Sequence, residues 1–155
     1  MREFDILANY PSPKKPRLVG KDLRSIKNRI IASYRDKDFF DGDRSNGYGG
    51  YKYDGRWKLI ATAMVSEYNL INGSKILQIG CEKGFLLSDL LDLNSEFEVY
   101  GLESSTYAID NSIEQVKDKI KFSDYRKLNF EDNFFDLVVA IGPVYTLNLG
   151  DAISL

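Results

Sequence analysis

The sequence predicts an α/β protein in which parallel strands alternate with helices. Short apolar runs recur between segments of helical periodicity, and a loop with two glycines follows the first of these runs at once. Helices cover parallel strands on both faces, so such strands read as continuous apolar runs. The run LVVAI at residues 137–141 is of this kind. We therefore expect three layers, with a sheet between helices.

The elements of this sheet are predicted in the second part of the chain. The strands are predicted at residues 75–79, 98–102, 119–122 and 135–141, and the helices at residues 56–68, 85–93 and 104–116, the last capped by Ser104 or Ser105. The fourth strand is expected to be covered on both faces because it is apolar throughout.

An N-terminal extension of residues 1–55 precedes a core of residues 56–155. Its first 20 residues hold three prolines and are predicted to form an extended, solvated arm. A helix is predicted from Leu23 to about Asp36, with Asp22 as its N-cap. Its apolar residues recur at three- and four-residue steps and predict one buried stripe: Leu23, Ile26, Ile30, Ile31 and Tyr34.

A loop rich in glycine and tyrosine, DGDRSNGYGGYKYDGR at residues 41–56, connects this helix to the core. Aromatic residues that alternate with glycines suit a flexible lid with stacking groups. A packed surface loop is the alternative.

Composition excludes several classes of protein. The net charge of −2 disfavours a nucleic-acid partner, and the longest apolar run near the C-terminus is far shorter than a transmembrane helix requires. The chain has no histidine and one cysteine, Cys81, which excludes a serine–histidine triad and leaves no zinc site. A single cysteine also excludes an internal disulfide, so the cytoplasm is the predicted location.

The stretch ILQIGCEKGFLL at residues 76–87 is the candidate ligand loop. A buried strand runs into Gly80 and a helix starts directly after Gly84, which places a ligand at the strand's carboxyl end. The dinucleotide pattern G-x-G-x-x-G would need glycines where this chain has Glu82 and Phe85. A carboxylate and a bulky ring there would crowd a pyrophosphate, so a dinucleotide is disfavoured.

The same stretch resembles the first motif of class I S-adenosylmethionine-dependent methyltransferases, an acidic residue followed by G-x-G-x-G. Gly80 and Gly84 match its outer glycines, whereas Gln78 replaces the usual acidic residue and Glu82 the middle glycine. The stretch GLESSTYAI resembles the second motif of the family, and SDYRKLNFEDNFFDLVV resembles its third and fourth motifs.

This resemblance implies a Rossmann-like fold and S-adenosyl-L-methionine as the cofactor. Glu103 would accept hydrogen bonds from both ribose hydroxyls, Asp124 one from the adenine amino group, and Ile141 would lie where methyl group and acceptor meet. The cofactor-binding residues expected are Gln78, Gly80, Cys81, Glu82, Gly84, Phe85, Glu103, Ser104, Asp124, Tyr125 and Ile141. Because Glu103 is expected at an open loop mouth, its replacement should barely affect folding.

The activity implied is methyl transfer to a small-molecule acceptor. The alternative is a non-catalytic module of the same fold that binds the cofactor or a partner. No residue identifies itself as a general base, and Tyr51, Tyr53, Asp54 and Tyr145 are candidates by placement only. The family's sheet has seven strands and this sequence supplies four, so we expect the chain to stop before the last strands of the fold.

Overall fold

A computed structural model of the chain describes residues 3–11, 20, 24–125, 128–142 and 150. Its strands are β1 (Lys75–Ile79), β2 (Glu98–Glu103), β3 (Ile120–Phe122) and β4 (Leu137–Val139). Within the described residues they form one parallel sheet in the order β3–β2–β1–β4. The chain therefore builds outward from β1 on one side and returns to its other side at β4. A crevice opens at the carboxyl ends of strands where the order reverses in this way.

The predicted Rossmann-like α/β fold is confirmed by this sheet and by the helices that follow its strands. The helices are α1 (Ile26–Ser33), α2 (Lys37–Phe40), α3 (Lys58–Glu67), α4 (Phe85–Leu93) and α5 (Thr106–Asp110), and a 3-10 helix spans Glu114–Lys119. The predicted bounds of β1 and α4 agree with the structure to the residue, and β2 is one residue longer than predicted. Across the described residues, no helix is long and apolar enough to cross a membrane.

The N-terminal helix α1 differs from its prediction in two respects. It begins at Ile26, where the Ser25 hydroxyl accepts a hydrogen bond from the Asn28 N–H, and the predicted cap Asp22 lies outside the described residues. The predicted buried stripe is wrong, because Ile26 is 77% and Ile30 51% exposed. The helix packs mainly against α2 rather than on the sheet, so its apolar spacing does not correspond to a core contact.

The predicted helix at residues 104–116 is interrupted. Ser105 caps α5, its hydroxyl accepting from the Ala108 N–H, as one of the two predicted caps. The helix ends at Asp110 because the Ile113 N–H donates to the Lys83 carbonyl oxygen over 3.0 Å instead of continuing the helical ladder. The 3-10 helix that follows buries Val116.

Strand β4 is shorter than the predicted residues 135–141. Its pairing with β1 runs from Ile76 opposite Leu137 to Gln78 opposite Val139. Asp136 fixes this register, since its carboxylate accepts from the Lys75 N–H and its own N–H donates to the Lys75 carbonyl. The expectation of cover on both faces is wrong for Val138, which is 51% exposed.

The main core lies between one face of the sheet and helices α3 and α4. Ile60 and Met64 of α3 and Leu86 and Leu90 of α4 are buried there against Ile76. A second cluster, which includes Leu77, Ile79 and Leu102, lies on the other face of the sheet. Each fully buried aliphatic side chain stabilises the fold by roughly 1.5–3 kcal/mol, so these contacts hold β1 in place from both faces.

We predict that the packing of Val116 and Ile120 requires a residue without a side chain at Gly84. A Cβ there would lie 2.6 Å from Val116 Cγ2 and 2.9 Å from Ile120 Cδ1, and its φ is +77°. We expect Gly84→Ala to lower the free energy of unfolding by about 2–5 kcal/mol, from left-handed strain and overpacking, measured by urea denaturation.

Gly55→Ala is the matched control, since Gly55 has φ +73° with open space around its Cβ position. It should lose only about 1–2 kcal/mol, the strain alone. Equal losses in the two variants would contradict the packing explanation.

Candidate active site

A cavity of about 320 Å³ opens at the carboxyl ends of β1 and β4, where the strand order reverses. Six of the predicted cofactor-binding residues line it: Gln78, Gly80, Cys81, Glu82, Phe85 and Ile141. The loop after β1 and the residues after β4 thus face the same space. Glu103, Ser104, Asp124 and Tyr125 lie outside its lining, at the carboxyl ends of β2 and β3.

The loop after β1 is a tight turn held by backbone hydrogen bonds. The N–H groups of Gly80 and Cys81 both donate to the Leu102 carbonyl, over 2.8 and 3.1 Å. Gly80 has φ +69°, and Glu82 adopts the left-handed region at +53°, which favours glycine. Glu82 therefore keeps the backbone shape of the glycine it replaces while adding a carboxylate to the cavity.

Gln78, at the end of β1, lies in the wall of the cavity. The residue is only 5% exposed, and its Oε1 is enclosed by protein and has no hydrogen-bond partner among the described residues. A buried acceptor without a partner costs about 1–3 kcal/mol, so this amide is a local cost to the fold.

Glu103 is completely buried, in contrast to the open position expected. Its Oε2 accepts from the Glu82 N–H over 2.7 Å, and its Oε1 accepts from the N–H groups of Ser104 and Ser105, each over 2.9 Å. The carboxylate thus ties the end of β2 to the loop after β1. Because these N–H donors would lose their acceptor, we expect replacement of Glu103 to destabilise the fold.

Tyr125 lies directly on this carboxylate. Its hydroxyl donates to Glu103 Oε1 over 3.3 Å and accepts from the Ser104 N–H over 2.9 Å. Burial and the negative charge of Glu103 raise the pKa of the Tyr125 hydroxyl, which keeps it protonated as a donor. Asp124, the predicted adenine acceptor, is exposed beside it.

Two other predicted residues take roles set by packing. The Cβ position of Gly84 faces Val116 and Ile120 rather than the cavity. Cys81 lines the cavity but is buried, and burial together with the charge of Glu103 raises the pKa of its thiol well above the ordinary value. A protonated thiol is a poor nucleophile, which agrees with reading Cys81 as a small residue that the turn requires.

Glu82 connects the loop to the N-terminal extension. Its Oε1 accepts from Arg35 Nη2 over 2.9 Å and from the Tyr48 hydroxyl over 2.8 Å. Burial acts to lower the pKa of Arg35, but the carboxylates of Glu82 and Glu103 outweigh it and raise the pKa. Burial and the charge of Glu82 also raise the pKa of Tyr48, so this hydroxyl stays protonated.

A second connection joins the next residue of the loop, Lys83, to Asp41. Lys83 Nζ donates to Asp41 Oδ2 over 2.6 Å and to the Tyr51 carbonyl over 3.0 Å, and the lysine is almost fully buried. Asp41 also accepts from the Tyr107 hydroxyl and the Tyr51 N–H. Burial tends to raise the pKa of Asp41, but these donors and the charge of Lys83 outweigh it and lower the pKa.

A third connection joins the Tyr53 hydroxyl to the carboxylate of Asp89 on α4. Asp89 is fully buried, its Oδ2 has no partner, and burial raises its pKa. Glu82, Lys83 and Asp89 therefore all hold the glycine- and tyrosine-rich segment against the predicted cofactor loop and its helix.

Several cavity residues come from the N-terminal part of the chain and were not among the expected cofactor-binding residues: Tyr10, Arg35, Tyr48, Tyr51 and Trp57. The sequence indicated Tyr48 and Tyr51 only as parts of a possible lid, and Tyr51 also as a candidate base. It gave no signal for Arg35 or for Tyr10, which was expected in a solvated arm. Tyr10 packs on Trp57 with 5.2 Å between ring centroids.

Of the three candidate bases within the described residues, only Tyr51 lines the cavity. Burial and the charge of Glu82 raise its pKa, so its hydroxyl remains protonated and is a poor base. Tyr53 is engaged by Asp89, Asp54 forms an exposed ion pair with Arg56, and Tyr145 lies outside the described residues.

Residues 77–152 match a family model described as a methyltransferase domain. This match covers just under half of the chain and indicates a methyltransferase domain. No protein of curated function matches the sequence. In this chain, the cavity lies where β1 and β4 diverge, and the buried Glu103 ends the neighbouring strand β2.

Solved methyltransferase structures share the fold. The glycopeptide N-methyltransferase MtfA complexed with sinefungin is 23% identical, with a TM-score of 0.51 over 68% of this chain and 44% of that one. A putative S-adenosyl-L-methionine-dependent methyltransferase from Methanococcus maripaludis is 19% identical, with a TM-score of 0.52 over 90% and 60%. A putative methyltransferase of an antibiotic biosynthesis pathway from Anabaena variabilis is 23% identical, with a TM-score of 0.50 over 61% and 38%. This chain thus spans less than two thirds of each of them.

Glu103→Ala should destabilise the fold. Three backbone N–H groups would lose a buried acceptor, so we expect the free energy of unfolding to fall by roughly 2–4 kcal/mol, measured by urea denaturation. Glu98→Ala, at the exposed start of the same strand, should change it by less than about 0.5 kcal/mol. A stable Glu103→Ala variant would show that the loop keeps its shape without the carboxylate.

The Asp41–Lys83 pair should make stability depend on pH. Because the folded-state pKa of Asp41 is lowered, its contribution is present above the unfolded pKa of about 4 and is lost as the pH falls through the folded value. Asp41→Asn should therefore flatten the decline of stability below about pH 4, measured by urea denaturation between neutral and acid pH. An unchanged acid decline would contradict this. Lys83→Met, which keeps Asp41 and removes its cation, should reduce the same decline.

Proposed function

We propose that this chain binds S-adenosyl-L-methionine across the carboxyl ends of β1 and β2 and transfers its methyl group to a small-molecule acceptor in the cavity. The observation that carries the proposal is the cavity itself. It lies at the switch point of the sheet and is lined by six residues of the predicted cofactor site.

The residues present fit such a cofactor. The turn from Gly80 to Glu82, in which both of these residues have positive φ, brings backbone close to the cavity, and Gln78 lies in the same wall. When bound, the cofactor supplies a methyl group on a positively charged sulfonium, which is already activated. The chain must then hold the acceptor in line with that methyl group at near-attack distance.

The remaining residues would shape and enclose the site. Tyr48 and Tyr51 keep protonated hydroxyls, so they act as hydrogen-bond donors and walls rather than as bases. The segment at residues 41–56, with its three connections to Glu82, Lys83 and Asp89, would cover the acceptor side and exclude water, as the lid expected from the sequence would.

The ribose end of the cofactor would meet Glu103 and Tyr125. In the structure the Tyr125 hydroxyl occupies one acceptor oxygen of Glu103. A ribose hydroxyl that binds there would share this contact or displace it. The Tyr125 side chain would then shift and contact the bound ligand.

Cofactor binding is tested by calorimetry with S-adenosylhomocysteine on the whole chain. We expect binding that NAD does not compete with, and the isosteric Glu103→Gln variant should weaken it by about 10- to 100-fold because it removes a charged acceptor. Glu98→Gln should bind as the unmodified chain does. Tighter binding of NAD, or an unchanged Glu103→Gln affinity in a folded variant, would contradict the proposal.

Turnover separates the enzyme from the alternative of a non-catalytic module. Transfer of a tritiated methyl group from the cofactor to small molecules of a cell extract would support the enzyme. Cofactor binding without any transfer would support the module, which the departures at Gln78 and Glu82 from the family's motif favour.

A further inference from the structure

We infer that the cavity accepts a neutral, planar aromatic molecule. This inference rests on the proposed function and specifies its acceptor class. It follows from two properties of the cavity wall, namely its aromatic side chains and its cancelled charges.

Aromatic side chains from separate segments converge on this cavity. Tyr10 comes from the arm, Tyr48 and Tyr51 from the glycine-rich segment, and Trp57 from the start of α3. The rings of Tyr48 and Tyr51 stack with 4.2 Å between centroids. A planar ring can join such a group by offset stacking or by edge-to-face contact, both of which are favourable for aromatic pairs. A saturated ring of the same size lacks these contacts.

The charges that line the cavity cancel. Among its described lining residues, Arg35 and Glu82 are charged, and they form an ion pair of 2.9 Å. Because the pair has no net charge, a charged ligand would lose its hydration in the cavity without meeting an opposite net charge, which is costly. To pair with one of these residues, the ligand would have to break their contact and leave the other charge uncompensated. A neutral ligand is therefore favoured.

The cavity is large enough for such a ring. Its volume of about 320 Å³ is roughly twice that of the ~150 Å³ cavities that hold benzene, which leaves room for one ring beside a second group.

Ligand-observed NMR titrations test the acceptor class on the whole chain saturated with S-adenosylhomocysteine. The probes are phenol, cyclohexanol, benzoate and benzylammonium, which differ in planarity and charge. We expect phenol to bind roughly two- to tenfold more tightly than cyclohexanol and more tightly than either ion. Equal binding of cyclohexanol, or tighter binding of benzoate or benzylammonium, would overturn the inference.

Two variants assign the contacts. Tyr10→Leu keeps apolar bulk without a ring and should remove the preference for phenol over cyclohexanol, whereas Tyr68→Leu, at an exposed tyrosine outside the cavity, should retain it. Retention of the full preference for phenol in Tyr10→Leu would overturn the assignment of the aromatic contact to this wall.

The failure of this inference differs from the failure of the proposed function. Binding of S-adenosylhomocysteine with no preference for phenol overturns the acceptor class alone. A preference for phenol in a chain that binds no S-adenosylhomocysteine supports the aromatic site and contradicts the proposed cofactor.

Discussion

The buried carboxylate of Glu103 determines the geometry around it. A charge completely removed from water is tolerated only when hydrogen bonds surround it, and here backbone N–H groups from two loops supply them. The turn after β1 and the start of α5 are therefore positioned by the same side chain. Any ligand at the ends of β1 and β2 meets a site that this one group has organised.

The glycine- and tyrosine-rich segment is built into the protein more firmly than its composition suggests. Tyr51 is buried and stacks on Phe85 with 4.7 Å between centroids, so the segment forms a small core of its own with Phe40. Its glycines let the backbone turn sharply enough to bring tyrosines together. The loop after β1, helix α4 and the aromatic side chains of this segment are thus packed together.

The sequence predicted well those elements in which the apolar residues of the pattern are also the buried residues. Strand β1 and helix α4 are apolar on the faces that are buried, and the glycines between them mark both ends. The spacing of α1 failed as a guide because periodicity indicates a stripe but not whether another element covers it. Strand β4 was overestimated because the hydrogen bonds of its neighbour, not its own apolar run, determine its length.

Only the part of the candidate site that lies in the methyltransferase-like motifs was predictable from the sequence. Gln78, Gly80 and Glu103 follow strands at fixed spacing, so the sequence places them at one edge of the sheet. Arg35, Tyr48 and Tyr10 reach the same cavity from distant positions, through contacts that span up to 47 residues and leave no periodic pattern. Ion pairs between loops, such as Lys83 with Asp41, are likewise invisible without the fold.

The carboxylate of Glu82 couples the choice of residue at three positions of the chain. Glycine at position 82 would relieve the left-handed backbone strain but would leave the Arg35 guanidinium and the Tyr48 hydroxyl without their shared partner. Positions 35, 48 and 82 are therefore expected to vary together in related sequences.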